Sequence, residues 1–211
     1  MNVSASKENI FKKIREALSN STPLPFPQSE GNQPLYQPLD QEPEVEFAER
    51  FTQLLGKFIY CINQQEFAFQ LGSLIRKQEW NKIFCQEPGL LGLAITQIED
   101  RITPTDLAGC DVSITGCECL VARTGSIVMS SAQNSGRTSS VYAPIHICVA
   151  FTSQVVVDLK EAVQLTREKY GNNLPSLITF ATGPSRTADI EKTLVVGVHG
   201  PKEVYVFLIE G

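Results

Sequence analysis

The chain has 211 residues, 42% of them hydrophobic, and a net charge of −5. That length suits one sizeable core with an extension, or at most two small domains, and the apolar share is ordinary for a globular protein. An acidic balance gives no basic surface field, which argues against nucleic acid as a partner. No apolar run reaches the length of a membrane span, and no signal-peptide pattern opens the chain, so the cytoplasm is the expected location.

Residues 6–19 are predicted to form an amphipathic helix capped by Ser6, with Ile10, Ile14 and Leu18 at four-residue spacing beside Phe11 and Ala17. Residues 20–49 hold half of the twelve prolines and no Lys or Arg, with acids at Glu30, Asp40, Glu42, Glu44, Glu46 and Glu49. This composition describes an extended acidic arm, and the domain plan is a helix over 1–19, a linker over 20–44 and an α/β domain over 45–211.

From Glu44 onward helical and strand patterns alternate. Phe47, Phe51, Leu54 and Leu55 mark a helix face, "KFIYCI" a strand, and Phe67, Leu71, Leu74 and Ile75 a second helix. "KIFC" reads as a strand, "GLLGLAI" as a short helix, and "IHICVAF" as another strand. Asp158 caps a helix that runs to Tyr170 and closes at Gly171, followed by the strand "SLITF". The last strands, "LVVGV" and "VYVFLI", lie either side of "HGPKE" and read as an antiparallel hairpin. Every position of "VYVFLI" is apolar, so it should be buried on both faces. The expected fold is a three-layer α/β/α domain with a mixed, mainly parallel sheet.

Chemistry is sought beyond the carboxyl ends of strands. After "SLITF" comes "TGPSRTADIE": Gly183 permits a sharp turn, Ser185 and Thr187 can cap a helix begun by "ADIE", and Arg186 can grip a carboxylate or phosphate. The same residues make a well-capped turn with Asp189 and Glu191 in the helix's first turn, where acids also suit the dipole. A second loop, "ARTGSIVM", places Arg123, Thr124, Gly125 and Ser126 before a strand, as a ligand loop or an ordinary turn. Of the two histidines, His199 sits in a turn beside Gly200 and is the favoured acid–base group, with Asp189 and Glu191 as further catalytic candidates. Neither G-x-G-x-x-G nor a P-loop lysine motif is present. The six cysteines show no metal or cluster spacing and read as reduced, buried thiols, so no metal site is expected.

"TGPSRTADIEKTLVVGVHGPKEVYVFLI", with "LVARTGSIVM" and "APIHICVA" in the same order, resembles the lactate-utilisation (LUD) domain family, in particular its lactate-utilisation protein C group. The resemblance covers roughly residues 45–211. It implies a fold like glucosamine-phosphate deaminase, ribose-phosphate isomerase and the CoA-transferases. It also implies a role in oxidising L-lactate to pyruvate with iron–sulfur partner proteins that carry the clusters, none being expected in this chain. Where family members commonly have an acid before Thr-Gly-Thr, this chain has Arg123, which favours an anionic ligand there.

Three readings follow. One is a subunit of a lactate-oxidising assembly binding a small carboxylate or phosphate, with scope for self-association into a homo-oligomer. Another is a stand-alone enzyme on a phosphorylated sugar, CoA or folate-type ligand. The last is a non-catalytic regulatory subunit.

Overall fold

The computed structural model describes residues 5–19, 39–102, 106–188, 194–197 and 199–211. The chain divides into two units, Met1–Pro38 and Leu39–Gly211. In the first, α1 (Ala5–Ser19) exposes Ile10, Phe11 and Ile14 along one stripe, as the four-residue spacing requires. Ser6 falls inside this helix rather than at its cap.

The second unit is built on a five-stranded, wholly parallel sheet. Its strands are β1 (Lys57–Cys61), β2 (Ile83–Cys85), β3 (Val112–Thr115), β6 (Ile145–Phe151) and β11 (Glu203–Ile209), in the order β1-β11-β6-β3-β2. α2 (Pro43–Gln53) precedes β1, α3 (Gln64–Lys77, capped by Asn63) joins β1 to β2, and α4 (Pro88–Ile98) lies between β2 and β3. Alternation along β11 explains its composition. Tyr205, Phe207 and Ile209 point to a core shared with Phe67, Leu71 and Ile75 of α3 and with Leu90 and Ile98 of α4. Val204, Val206 and Leu208 point to the opposite core, which contains Phe47 and Phe51 of α2. Each fully buried side chain of this size contributes roughly 1.5–3 kcal/mol.

A second sheet covers that opposite core. It has four strands, β4 (Cys119–Val121), β5 (Ser126–Ser130), β7 (Val155–Val156) and β8 (Ile178–Ala181), in the order β7-β4-β5-β8. Leu120, Ile127 and Met129 face the first sheet, while Cys119, Val121 and Val128 face Ala162 of α6 (Leu159–Tyr170). Asp158 caps α6 by accepting from the Lys160 N–H, as its position predicts. The short α5 (Ser139–Tyr142) lies beside β3 and β6.

The α/β class and the mainly parallel sheet agree with the sequence. Two details differ. A second sheet stands between the main sheet and α6, so the layers are helix, sheet, sheet, helix rather than three. The expected pairing of the last two strands is replaced: β10 (Leu194–Val196) pairs antiparallel with β9 (Arg186–Ala188), and β11 inserts in parallel between β1 and β6. The reason is the one visible in β11 itself. A strand buried on both faces must also satisfy its backbone on both edges, and two parallel neighbours do this, β6 along seven residues and β1 along five.

Candidate functional site

Both loops singled out in the sequence meet at the end of α2. After β4 the chain makes a tight turn at Ala122–Thr124, and Gly125 follows at φ +59. A Cβ at Gly125 would lie 2.8 Å from the Phe51 N, so only glycine lets this loop sit against the helix. The Ser126 hydroxyl bridges Thr124 and Thr182, at 2.8 Å to each, and ties the two loops together. Gly183, at φ +83, has its Cβ position 2.7 Å from the Leu54 carbonyl oxygen. The Arg186 Nη2 donates to that same oxygen at 2.7 Å. Leu54 is the residue that ends α2, where carbonyls lack helical partners, so Arg186 supplies a missing donor.

Arg123 acts at the other end of the same helix. Its charge helps hold the Glu46 carboxyl below the usual range, after hydrogen bonds from Arg50 and Gln41. The position where the family commonly carries an acid thus holds a cation facing an acid of α2.

Ser185 has a different task. Its N–H donates to the Pro201 carbonyl and its own carbonyl accepts from Gly197, at 2.9 and 3.0 Å. A Cβ at Gly200 would lie 2.8 Å from the Ser185 Cβ. Ser185 therefore backs the turn that carries His199. Arg186–Ala188 is a strand where a helix start was expected, because this segment finds a partner in Leu194–Val196. Thr187 lies in that strand, and Asp189 and Glu191 fall outside the described residues.

The exposed His199 opens onto a pocket of about 450 Å³. Lys202, Gly197 and Gly200 line it from the same turn, and Val141, Tyr142 and Pro144 from the end of α5. The two walls are joined where the Lys202 N–H donates to the Pro144 carbonyl at 2.7 Å, which sets the start of β11 against the start of β6. Among the described residues, neither His199 nor Lys202 is held in an ion pair. The described lining includes neither Arg123 nor Arg186. The pocket lies at the amino ends of β6 and β11, not at the carboxyl ends where a ligand was expected. The cause is the second sheet: β8 belongs to it, and its carboxyl end delivers the chain to the residues preceding β1 and β11.

Glu118, which escaped the sequence reading, and His146, the less favoured of the two histidines, are both buried. Glu118 lies in the loop before β4, and its side chain is wholly buried. Burial pushes its carboxyl up, but donations from Lys169 at 2.7 Å, Ser130, and Tyr170 at 2.7 Å outweigh this and bring it below the usual range. His146 on β6 is 1% exposed, and burial alone lowers its pKa to about 4. The Thr115 hydroxyl lies 2.8 Å from His146 Nε2 and 2.9 Å from the Gly116 carbonyl oxygen, so it hydrogen-bonds the imidazole inside the core. An acid inside "TGCEC" and a histidine inside an apolar strand were the available signals.

All six cysteines are free and buried. Burial pushes Cys61 and Cys85 up to about 11 and Cys119 to about 12, which makes them poor nucleophiles. Among the described residues, no three of His, Cys, Asp or Glu converge as a metal-ligand set, and no helix is long and apolar enough to cross a membrane.

The family model for the LUD domain matches residues 46–209. Lactate utilization protein C of Bacillus subtilis is 37% identical over 113 residues, which is 53% of this chain and 46% of that protein. Lactate utilization protein C of Deinococcus radiodurans is 30% identical over 120 residues, 56% of each. The chain thus aligns with about half the length of these relatives. The crystal structure of a DUF162 family protein from Deinococcus radiodurans superposes with a TM-score of 0.59 at 19% identity, over 82% of this chain and 99% of that one, which shows a shared fold.

Proposed function

The chain belongs to the LUD domain family, and from that premise we propose that it serves in a system oxidising L-lactate to pyruvate together with iron–sulfur partner proteins. In that system the partners carry the clusters that take the two electrons. This chain contributes an anion site for a carboxylate or phosphate in the pocket at His199 and Lys202.

The observation that carries the role is the alignment, at 37% identity, with a protein named for lactate utilization. The pocket supports the anion site. Lys202 supplies a fixed positive charge and His199 a proton donor or acceptor at the mouth of a 450 Å³ recess.

The test is growth of the native organism on L-lactate as sole carbon source after deletion of this gene, with the wild-type chain and the Lys202→Glu variant returned separately. Growth should fail on deletion, return with the wild type and stay poor with Lys202→Glu. Undiminished growth on deletion sinks the role; full rescue by Lys202→Glu sinks the site.

A further inference from the structure

The pocket at His199 is too large and too unevenly furnished for a three-carbon acid. Its volume of about 450 Å³ lies within the range of roughly 300–1,000 Å³ that holds drug-sized ligands. Its polar groups gather on one side, where His199 and Lys202 follow one another in the turn before β11. The opposite side is apolar. Tyr142 presents its ring there with 69% of the residue exposed, and Val141 beside it is 41% exposed. A lone surface tyrosine means little. This one forms the wall of a recess whose other wall carries a cation, and no ring or cation among the described residues covers its face.

From this arrangement we propose that the pocket binds a planar heteroaromatic ring joined to a phosphate, a ligand of mononucleotide size. The ring stacks on Tyr142 against Val141 and Pro144, and the phosphate reaches Lys202 and His199. This rests on the reading of the pocket as an anion site and names the class of anion it takes. The site is built in advance of the ligand. The Lys202–Pro144 backbone bond fixes the distance between the walls, and Ser185 pressed against Gly200 fixes the floor. Base–aromatic stacking tolerates any flat ring, so the pocket selects a ring-bearing phosphate over a bare one without reading the ring's edge.

Titration calorimetry on the full chain tests this, with adenosine monophosphate, adenosine, inorganic phosphate and L-lactate as probes. Adenosine monophosphate should bind at least about tenfold more tightly than any of the other three. Tyr142→Ala should weaken it by about five- to a hundredfold while leaving phosphate binding unchanged, and Tyr142→Phe should keep it. Lys202→Ala should weaken both phosphate and the nucleotide. Equal affinity for phosphate and the nucleotide, or an unaffected Tyr142→Ala variant, overturns the ring proposal while the anion site stands. If Lys202→Ala leaves phosphate binding unchanged, or phosphate gives no heat, the anion site itself falls. Tighter binding of L-lactate than of the nucleotide overturns the ring proposal and favours the small acid. Both substituted side chains are exposed, and a melting curve within a few degrees of wild type confirms that each of the three variants is folded.

Discussion

His146 should make the protein acid-labile in a window where most histidines are harmless. In the unfolded chain its imidazole takes a proton near pH 6.5; in the folded chain burial on β6 holds that off until about pH 4. The unfolded state therefore binds the extra proton first. Stability from this group is complete above pH 6.5 and is lost as the pH falls toward 4. The gap corresponds to roughly 3 kcal/mol in all and about 2 kcal/mol at pH 5. A typical domain has only about 5–15 kcal/mol to lose.

Urea denaturation of the wild type and of His146→Gln at pH 7, 6 and 5 isolates the effect. The glutamine amide can still hydrogen-bond the Thr115 hydroxyl, but it cannot take up a proton. Carboxylates titrate alike in both proteins, so the difference between the two curves should grow by about 2 kcal/mol from pH 7 to 5. The chain has two histidines, so their ring proton signals offer an independent check. The His146 signal should stay flat down to pH 5. Parallel denaturation curves, or a His146 signal that titrates near 6.5, would refute the reasoning.

Three further predictions concern contacts away from the pocket. Gly183→Ala should cost about 1–3 kcal/mol, because the new Cβ meets the Leu54 carbonyl at a positive φ, whereas Gly136→Ala, at φ +64 with open space around it, should cost roughly 1 kcal/mol by urea denaturation. In the same clamp Arg186→Ala should speed hydrogen exchange at the end of α2 and leave phosphate affinity unchanged; a large loss of phosphate binding would return Arg186 to the ligand site. Lys169→Met should lower stability by about 1–2 kcal/mol, since Glu118 keeps Ser130 and Tyr170 as donors and Lys169 is 53% exposed. That loss should vanish as the pH falls through the lowered Glu118 value; equal losses at pH 7 and pH 3 would contradict the ion pair.

The elements with one apolar stripe were legible: α1 and α6 lie within a residue or two of their expected positions, α3 contains the expected Phe67, Leu71, Leu74 and Ile75, and "IHICVAF" is β6 residue for residue. The pairings of β11 were not. Its neighbours β1 and β6 come from distant parts of the chain, while "LVVGV" stands next to it in sequence and invites a hairpin. Nothing local says that two parallel edges satisfy a buried strand better than one antiparallel edge. The second sheet was hidden for a related reason. Strands of two or three residues, such as Val155–Val156 and Cys119–Val121, show too little alternation to declare themselves. Arg186–Ala188 misled in the opposite direction, since its hydroxyl suits a helix cap, and tertiary pairing with Leu194–Val196 overrode that preference.

The stretch "TGPSR" shows how the residues of a ligand cradle can serve equally to join two stretches of backbone. Glycine with positive φ, hydroxyls and an arginine are the residues that cradle an anion. They are also the residues that let one backbone press against another and cap its loose carbonyls. Here Thr182, Gly183 and Arg186 are spent on the second sheet and on the end of α2, and Ser185 on the turn beneath His199. Five consecutive residues thus tie α2 to the floor of the pocket. A bulkier residue at Ser185 would reach the ligand by shifting Gly200 and Lys202, so its effect should be felt equally by every ligand. A substitution at Tyr142 or Lys202 should instead sort ligands by ring and by charge. That difference in pattern separates the residues that hold the pocket from those that read its contents.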